Sequence, residues 1–217
     1  MTTGFLLTLL SGLAWTIVYI DGIRIGIKDK SFAMPLWPLG LNLAWELLYF
    51  LIGVQHAGFT TQVIINLVWF LFDLGLVYTY FRYGRKYFPK NINPVWFTLW
   101  GILVVAVGFI VQYAFILEFE TIMAGTYAAY LQNLLMSVLF IHMLVQRGSR
   151  EGQTMLIAVS KLIGSLAPTI AFGLLGVGAF SEPQPFVLVI GSLMAFFDLI
   201  YIVMLAKTRV DVCPAAN

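Results

Sequence analysis

Residues 94–116, PVWFTLWGILVVAVGFIVQYAFI, run for 23 positions without a charge. At about 1.5 Å of rise per residue, a helix of that length crosses the roughly 30 Å hydrocarbon layer of a bilayer. Comparable apolar runs lie on both sides of it. Seven spans fit, over about residues 4–20, 35–53, 62–80, 94–116, 124–146, 153–178 and 184–206. They take up nearly all of the 217 residues, of which 61% are hydrophobic and only 10% charged. The expected fold class is therefore all-α, a polytopic membrane bundle of seven transmembrane helices in one domain over residues 1–217. The joining loops are too short for a soluble domain, so any pocket must be built between helices.

Basic residues set the orientation, because cytoplasmic loops retain Lys and Arg. Arg24, Lys28 and Lys30 follow the first span, and Arg82, Arg85, Lys86 and Lys90 the third. Arg147 and Arg150 follow the fifth, and Lys207 and Arg209 the seventh. Eleven of the twelve cations thus share one side, while His56, Glu118, Glu120 and Glu182 mark the other. An odd number of spans then places the N-terminus outside or lumenal and the C-terminus in the cytosol. The net charge of +2 reads as this topology signal and not as a nucleic-acid surface, since no basic stripe exists away from the loops. The first run has no basic residue before it and no small-residue cleavage site after it, so it is expected to stay as a span. Cys213 is the lone cysteine, which excludes an intrachain disulfide, and it lies one position too far from the end for a prenylation box.

The spans contain an internal echo. Leu71-Phe72-Asp73-Leu74, then an aliphatic and tyrosine-rich stretch and Arg82, matches Phe196-Phe197-Asp198-Leu199, a similar stretch and Lys207. More weakly, Ala44 and Gly53-Val54 pair with Ala167 and Gly176-Val177. Two three-helix units joined by the fourth span, a 3+1+3 parallel repeat, would give this pattern.

Four ionisable groups lie inside the spans, where a charge is costly unless it has a use: Glu46, Asp73, Lys161 and Asp198. Helical spacing puts Asn42, Glu46 and Tyr49 on one face with Trp45 at its border. Asp73 shares a face with Trp69 and Tyr80, and Asp198 has Tyr201 one turn after it. Loss of hydration disfavours a charged carboxyl in such surroundings, so at least one of these acids is expected to hold a proton at neutral pH. Lys161 lies about two turns from the basic end of its span, where a long stem could carry the ammonium to the interface. An ion pair with one acid, leaving another protonated, is the alternative. Tyr87, Trp96 and Tyr127 are expected in the interfacial aromatic belt. His56 and His142 have no partner at metal-ligand spacing, so no metal is expected. The sequence also has no aspartate-rich diphosphate motif, phosphate-cradling glycine loop or GxSxG elbow.

The stretch Lys30-Ser31-Phe32-Ala33-Met34-Pro35, followed by Asn42-Leu43-Ala44-Trp45-Glu46-Leu47-Leu48-Tyr49, resembles the integral-membrane terpene cyclases of fungal meroterpenoid and indole-diterpene pathways and their bacterial relatives. The likeness extends to the size, the seven spans and an F-D-x-x-Y pattern at Phe197, Asp198 and Tyr201. It implies that Glu46 and Asp198 are essential for cyclisation. Asn42, Trp45, Tyr49, Trp69, Asp73 and Tyr201 are then candidate substrate contacts. The implied reaction protonates an epoxide or terminal alkene on a prenylated small molecule, with no cofactor. The repeat taken alone supports another reading, a small parallel-repeat solute transporter.

Overall fold

A computed structural model describes residues 3–208; Arg209 and Cys213 lie outside the described residues. Helices α1 (Thr3–Lys28), α2 (Leu36–Ala57) and α3 (Thr61–Tyr83) come first, the last continuing into a 3₁₀ turn at Gly84–Tyr87. Then follow α4 (Pro94–Glu118), α5 (Thr121–Arg147), α6 (Met155–Pro168) with a π-helical extension over Thr169–Leu174, and α7 (Pro185–Lys207). All seven are long and apolar enough to cross a membrane.

Local signals set the helix ends. Pro94 occupies the first turn of α4, where its missing N–H costs nothing, and the Asn93 side chain accepts from the Val95 N–H at 3.0 Å. The Thr154 hydroxyl caps α6 in the same way, accepting from the Ile157 N–H at 3.0 Å. Gly148, in the left-handed region at φ 61°, closes α5. Two expected boundaries move. Helix α1 continues past residue 20 to Lys28, because its first charges satisfy each other: Arg24 Nη2 lies 2.6 Å from Asp21 Oδ1, three residues back on the same face. The second Asp21 oxygen accepts from Thr154. The sixth span stops being α-helical at Pro168, whose ring cannot donate into the ladder, and the chain adjusts by widening into the π turn.

In the packed bundle α3 lies against both α1 and α2, and α7 against both α5 and α6. These groups meet where α1 runs along α6 and α2 along α5, and α4 covers α2 and α5. Ile110 and Leu117 on the outside are 68% and 70% exposed, while Asp73, Lys161 and Glu46 inside are 0%, 1% and 2% exposed. That distribution would be unstable in water and suits hydrocarbon, where apolar surface is free to face out and polar groups must face in.

The cations gather at one end. Arg150 Nη2 donates to the Ala206 carbonyl at 2.9 Å, the Gly152 N–H to Asp29 Oδ2 at 2.9 Å, and the Arg147 guanidinium lies over Phe32 and Tyr87. The C-terminal ends of α1, α3, α5 and α7 therefore converge into a basic end.

Helices α2 and α4 cross at backbone contact, since a Cβ on Gly108 would lie 2.5 Å from the Gly40 carbonyl oxygen. Small residues at such crossings let dispersion contacts hold helices where no hydrophobic drive exists between them. Gly108→Val should force α4 off α2, lowering the thermal midpoint in detergent and broadening the gel-filtration peak. Gly12→Val, where nothing lies within 4 Å, should change neither. Equal behaviour of the two variants would refute a packing role for this crossing.

Candidate active site

Two polar clusters occupy the interior. The first centres on Asn42 of α2, whose Nδ2 donates to Tyr19 Oη at 2.6 Å and to Asp73 Oδ2 at 2.8 Å. Its Oδ1 accepts from Gln132 Nε2 at 2.9 Å, and Gln132 Oε1 accepts from Gln112 Nε2 at 2.6 Å. This chain of amides ties α1, α2, α3, α5 and α4 together. Glu46 stands one turn beyond Asn42 on the same face. Glu46 Oε2 and Asp73 Oδ1 are buried and have no hydrogen-bond partner among the described residues.

Aromatic side chains border the acids. The Trp45 and Tyr49 rings lie 4.8 Å apart, and Trp45 Nε1 donates to the Gly125 carbonyl at 2.9 Å. Tyr49 rests against Gly125, where a Cβ would come within 3.0 Å of its ring, and its hydroxyl is buried without a partner. Trp69 donates to Thr16 Oγ1 at 3.2 Å and packs 6.0 Å from the Tyr19 ring.

The second cluster is ionic. Lys161 Nζ of α6 donates to Asp198 Oδ1 at 2.8 Å and Oδ2 at 3.0 Å on α7, and to Ser137 Oγ on α5 at 2.6 Å. Both charged side chains are 1% exposed. Lys161 therefore does not snorkel. Its face of α6 points between α5 and α7, and a carboxylate with a hydroxyl there satisfies the ammonium more directly than the interface would. Asp198 contacts Lys161, while the acid next to Glu46's turn of α2 is Asp73. Tyr201, expected beside Asp198, gives its hydroxyl to Gln153 Oε1 at 3.0 Å, and its ring lies 5.2 Å from Phe140.

Tyr19, Gln112, Gln132, Ser137 and Gln153 escaped the sequence reading, which followed charges. The signal was present, because an uncharged amide in an apolar span also needs a partner. The clusters share a plan: the first draws Tyr19, Asn42 and Asp73 from α1, α2 and α3, the second Ser137, Lys161 and Asp198 from α5, α6 and α7. Each joins a hydroxyl, a nitrogen donor and a carboxyl.

At the basic end, a cavity of about 600 Å³ opens between the start of α2, the 3₁₀ turn and the end of α5. Neither Glu46 nor Asp198 lines it. Beside it, burial alone would raise the Glu151 carboxyl, but hydrogen bonds from Lys86 and Tyr87 outweigh it and hold the group below its ordinary value.

Residues 3–210 match the profile of the Pyr4-like transmembrane terpene cyclases. The chain belongs to this family. The Pyr4-family terpene cyclase mfmH of Annulohypoxylon moriforme is 34% identical over 171 residues, covering 76% of this chain and 68% of the relative. The terpene cyclase paxB of Penicillium paxilli is 28% identical over 203 residues, covering 87% and 78%. The terpene cyclase atmB of Aspergillus flavus is 29% identical over 166 residues, covering 74% and 65%. The chain thus spans between 65% and 78% of the lengths of these relatives. No solved structure matches it. Membership removes the transporter reading and makes the chain a multi-pass membrane terpene cyclase.

The ion pair makes a two-part prediction. Lys161→Met alone leaves Asp198 buried without its cation, which should cost about 3–5 kcal/mol of stability. Adding Asp198→Leu should restore most of the lost thermal midpoint while the protein stays inactive. If the double variant is no more stable than Lys161→Met alone, the pair is not the stabilising unit described here.

Proposed function

We propose that the cyclase protonates an epoxide or a terminal alkene of a prenylated, meroterpenoid-type substrate, with Glu46 as the donor, and directs the resulting cation through ring closure. The carrying observation is the contrast between the acids. Asp198 is ion-paired through both oxygens, while Glu46 is buried one turn from the Trp45–Tyr49 aromatic pair with one oxygen, Oε2, that has no hydrogen-bond partner among the described residues. A proton donor needs a free acidic group within reach of the substrate, in a site that excludes water.

The balance is simple. Glu46 gives a proton to the epoxide oxygen or the alkene carbon; the C–O bond or the π bond breaks, and the chain's alkenes close rings in turn. The cation ends by losing a proton or by capture on an internal oxygen, and a proton returns to the enzyme. The product is an isomer of the substrate. Trp45 and Tyr49 offer π faces that steady a moving cation without trapping it. Asp73 and Asn42 position Glu46, while Asp198, fixed by Lys161 and Ser137, presents a negative group toward developing positive charge. Trp69, packed against Tyr19, and Tyr201, packed against Phe140, complete the proposed set of substrate contacts.

The same proposal takes the chain as one domain, with α1–α3 and α5–α7 as parallel repeats and α4 as the linker. The matched three-helix clusters support it. The pairing of Gly53 with Gly176 does not, since Gly53 lies inside α2 and Gly176 has φ 60° beyond the π turn. The positive-inside rule supports an N-terminus outside or lumenal and a cytosolic basic end.

Glu46→Gln should lower turnover at least about a hundredfold, the scale of general-acid contributions, with expression intact; Asp198→Asn should lower turnover comparably, the scale of one fixed electrostatic group, and should also lower the thermal midpoint because it leaves the Lys161 ammonium buried without a carboxylate. Asp73→Asn should be milder. Mass spectrometry should show product of unchanged mass at a new retention time without added cofactor, metal or ATP, and D₂O should leave deuterium in an alkene-derived product. Wild-type turnover in Glu46→Gln would remove the donor role. For topology, cysteines placed near His56 and Glu182 should label from outside, and those near Arg85 and Arg150 only after permeabilisation; the reverse pattern would invert the orientation.

A further inference from the structure

Helices α5 and α6 both pack on α7 but scarcely on each other. Side chains bridge the space between them in antiparallel register. At the inner rung Lys161 Nζ donates to Ser137 Oγ at 2.6 Å, and at the outer rung the Tyr130 and Thr169 hydroxyls lie 3.3 Å apart. Midway stand Asn133, one turn from both Tyr130 and Ser137 on α5, and Ser165, one turn from both Lys161 and Thr169 on α6. Asn133 Oδ1 and Ser165 Oγ are buried, and neither has a hydrogen-bond partner among the described residues. The flanking hydroxyls are already committed: Ser137 donates to the Asn133 main-chain carbonyl at 3.1 Å and Thr169 to that of Ser165 at 2.7 Å.

Ser165 departs from the habit of other hydroxyls in the spans. Thr8, Thr16, Thr126 and Ser192 each donate to the carbonyl four residues back, the usual way for a helix to satisfy such a group. Ser165 makes no such bond, although it is only 3% exposed. The backbone beside it is braced by other means. Pro168 has no N–H to offer the Gly164 carbonyl, and Ser11 Oγ of α1 donates there at 2.7 Å. Just beyond, the chain widens into the π turn, a distortion often found at functional sites, and a Cβ on Gly191 of α7 would collide with Thr169 Oγ1.

Depth links this rung to the chemistry. Gln132, the residue before Asn133, donates to Asn42, so the rung lies level with Asn42. It is one turn inward from Glu46 and one turn outward from the Lys161–Asp198 pair, each step about 6 Å. Side chains tilt toward the start of their helix, and α2 starts at the basic end, so the Glu46 carboxyl leans toward this level. In the plan shared by the two clusters, Ser165 follows Lys161 by one turn as Glu46 follows Asn42.

The pair of groups selects its ligand by chemistry. Asn133 Oδ1 only accepts, and Ser165 Oγ can donate, so together they suit an uncharged oxygen that gives one hydrogen bond and takes another. A carbonyl or an intact epoxide only accepts. We infer that Asn133 and Ser165 form a hydroxyl-binding site facing Glu46, which takes the hydroxyl formed when a terminal epoxide opens. In that step the Glu46 proton passes to the epoxide oxygen, the C–O bond to the more substituted carbon breaks, and the new O–H donates to Asn133 Oδ1 while Ser165 donates to the oxygen. The site fits the oxygen after proton transfer better than before it, which is the form of binding that speeds a reaction. The assignment rests on the cyclase reading above and adds two residues to it.

The test titrates full-length protein in detergent, by thermophoresis, with two chains. One is a farnesyl phenyl ether whose terminal double bond is hydrated to the secondary alcohol; the other is the same ether with that bond hydrogenated. Isomerisation of the corresponding terminal epoxide is followed by mass spectrometry. Wild type should bind the alcohol at least about tenfold more tightly, because a site built around a hydroxyl discriminates against its absence. Ser165→Ala and Asn133→Leu should each reduce that preference to about threefold or less. Ser192→Ala, at an exposed hydroxyl bonded to its own helix, should leave it unchanged. Since Ser165 Oγ has no protein partner to lose, Ser165→Ala should keep or raise the thermal midpoint of the unliganded protein. Equal affinity of wild type for the two chains would mean that the rung holds water alone and would overturn the assignment. So would a preference untouched by both variants, or a lowered midpoint in Ser165→Ala. Hydroxyl-dependent binding with no isomerisation of the epoxide would leave the site standing and remove the proton-transfer mechanism instead.

Discussion

A polar group inside a bilayer has no water to turn to, and the whole structure follows from that constraint. Each interior donor or acceptor must be met by a residue on another helix, so the polar side chains decide which helices touch and in what register. Asn42 alone joins α1, α3 and α5 to α2. Lys161 joins α5 and α7 to α6. Apolar packing around Leu39, Leu76, Phe140 and Ile157 fills the space between them but carries little directional information. In such a scaffold a group left without a partner stands out. Among the described residues Glu46 Oε2, Asp73 Oδ1 and the Tyr49 hydroxyl are such groups on α2 and α3, as are Gln112 Oε1, Asn133 Oδ1 and Ser165 Oγ on α4, α5 and α6; Glu46 and Asp73 are the two acids of the set.

The two clusters represent two solutions to the same problem. The amide network around Asn42 links its members through neutral dipoles, which are flexible in direction, and leaves Gln112 Oε1 and Asp73 Oδ1 without a partner among the described residues. The Lys161–Asp198 pair uses full charges, whose burial is tolerable only because each answers the other at close range. Their chemical consequences differ. A neutral network leaves a carboxyl free to exchange a proton; an ion pair fixes a carboxylate in place.

Helix number, span type and the basic end were legible because each is written in a long, redundant pattern: a sequence that is 61% hydrophobic, with cations repeated after alternate spans. Glu46 and Asp198 were legible because charges in hydrocarbon are rare. What each charge touches was not legible. Lys161 sits two turns from an interface that its stem could reach, and only the packing of α5 and α7 shows that nearer partners exist. The place of Tyr87 near the end of its span suggests the interfacial belt but says nothing of the Arg147 guanidinium that lies over its ring. The end of α1 was misplaced for a related reason: Asp21 and Arg24 interrupt the apolar run but neutralise each other within one turn.

The separation of Lys161 and Asp198 onto different helices has a consequence for biogenesis. A lone lysine or aspartate near the middle of an inserting helix costs about 3 kcal/mol at the translocon. Helix α6 enters first and bears its lysine without a counter-charge. Helix α7 has a mean hydropathy of 2.4 against 1.7 for α6, so it can carry its own acid in and supply the missing partner. The two helices thus reach their lowest energy only as a hairpin, and the insertion of α7 beside α6 completes one charged cluster in a single step. A chain cut after α6 would hold an unanswered cation in the membrane, which marks incomplete copies chemically and exposes them to quality control.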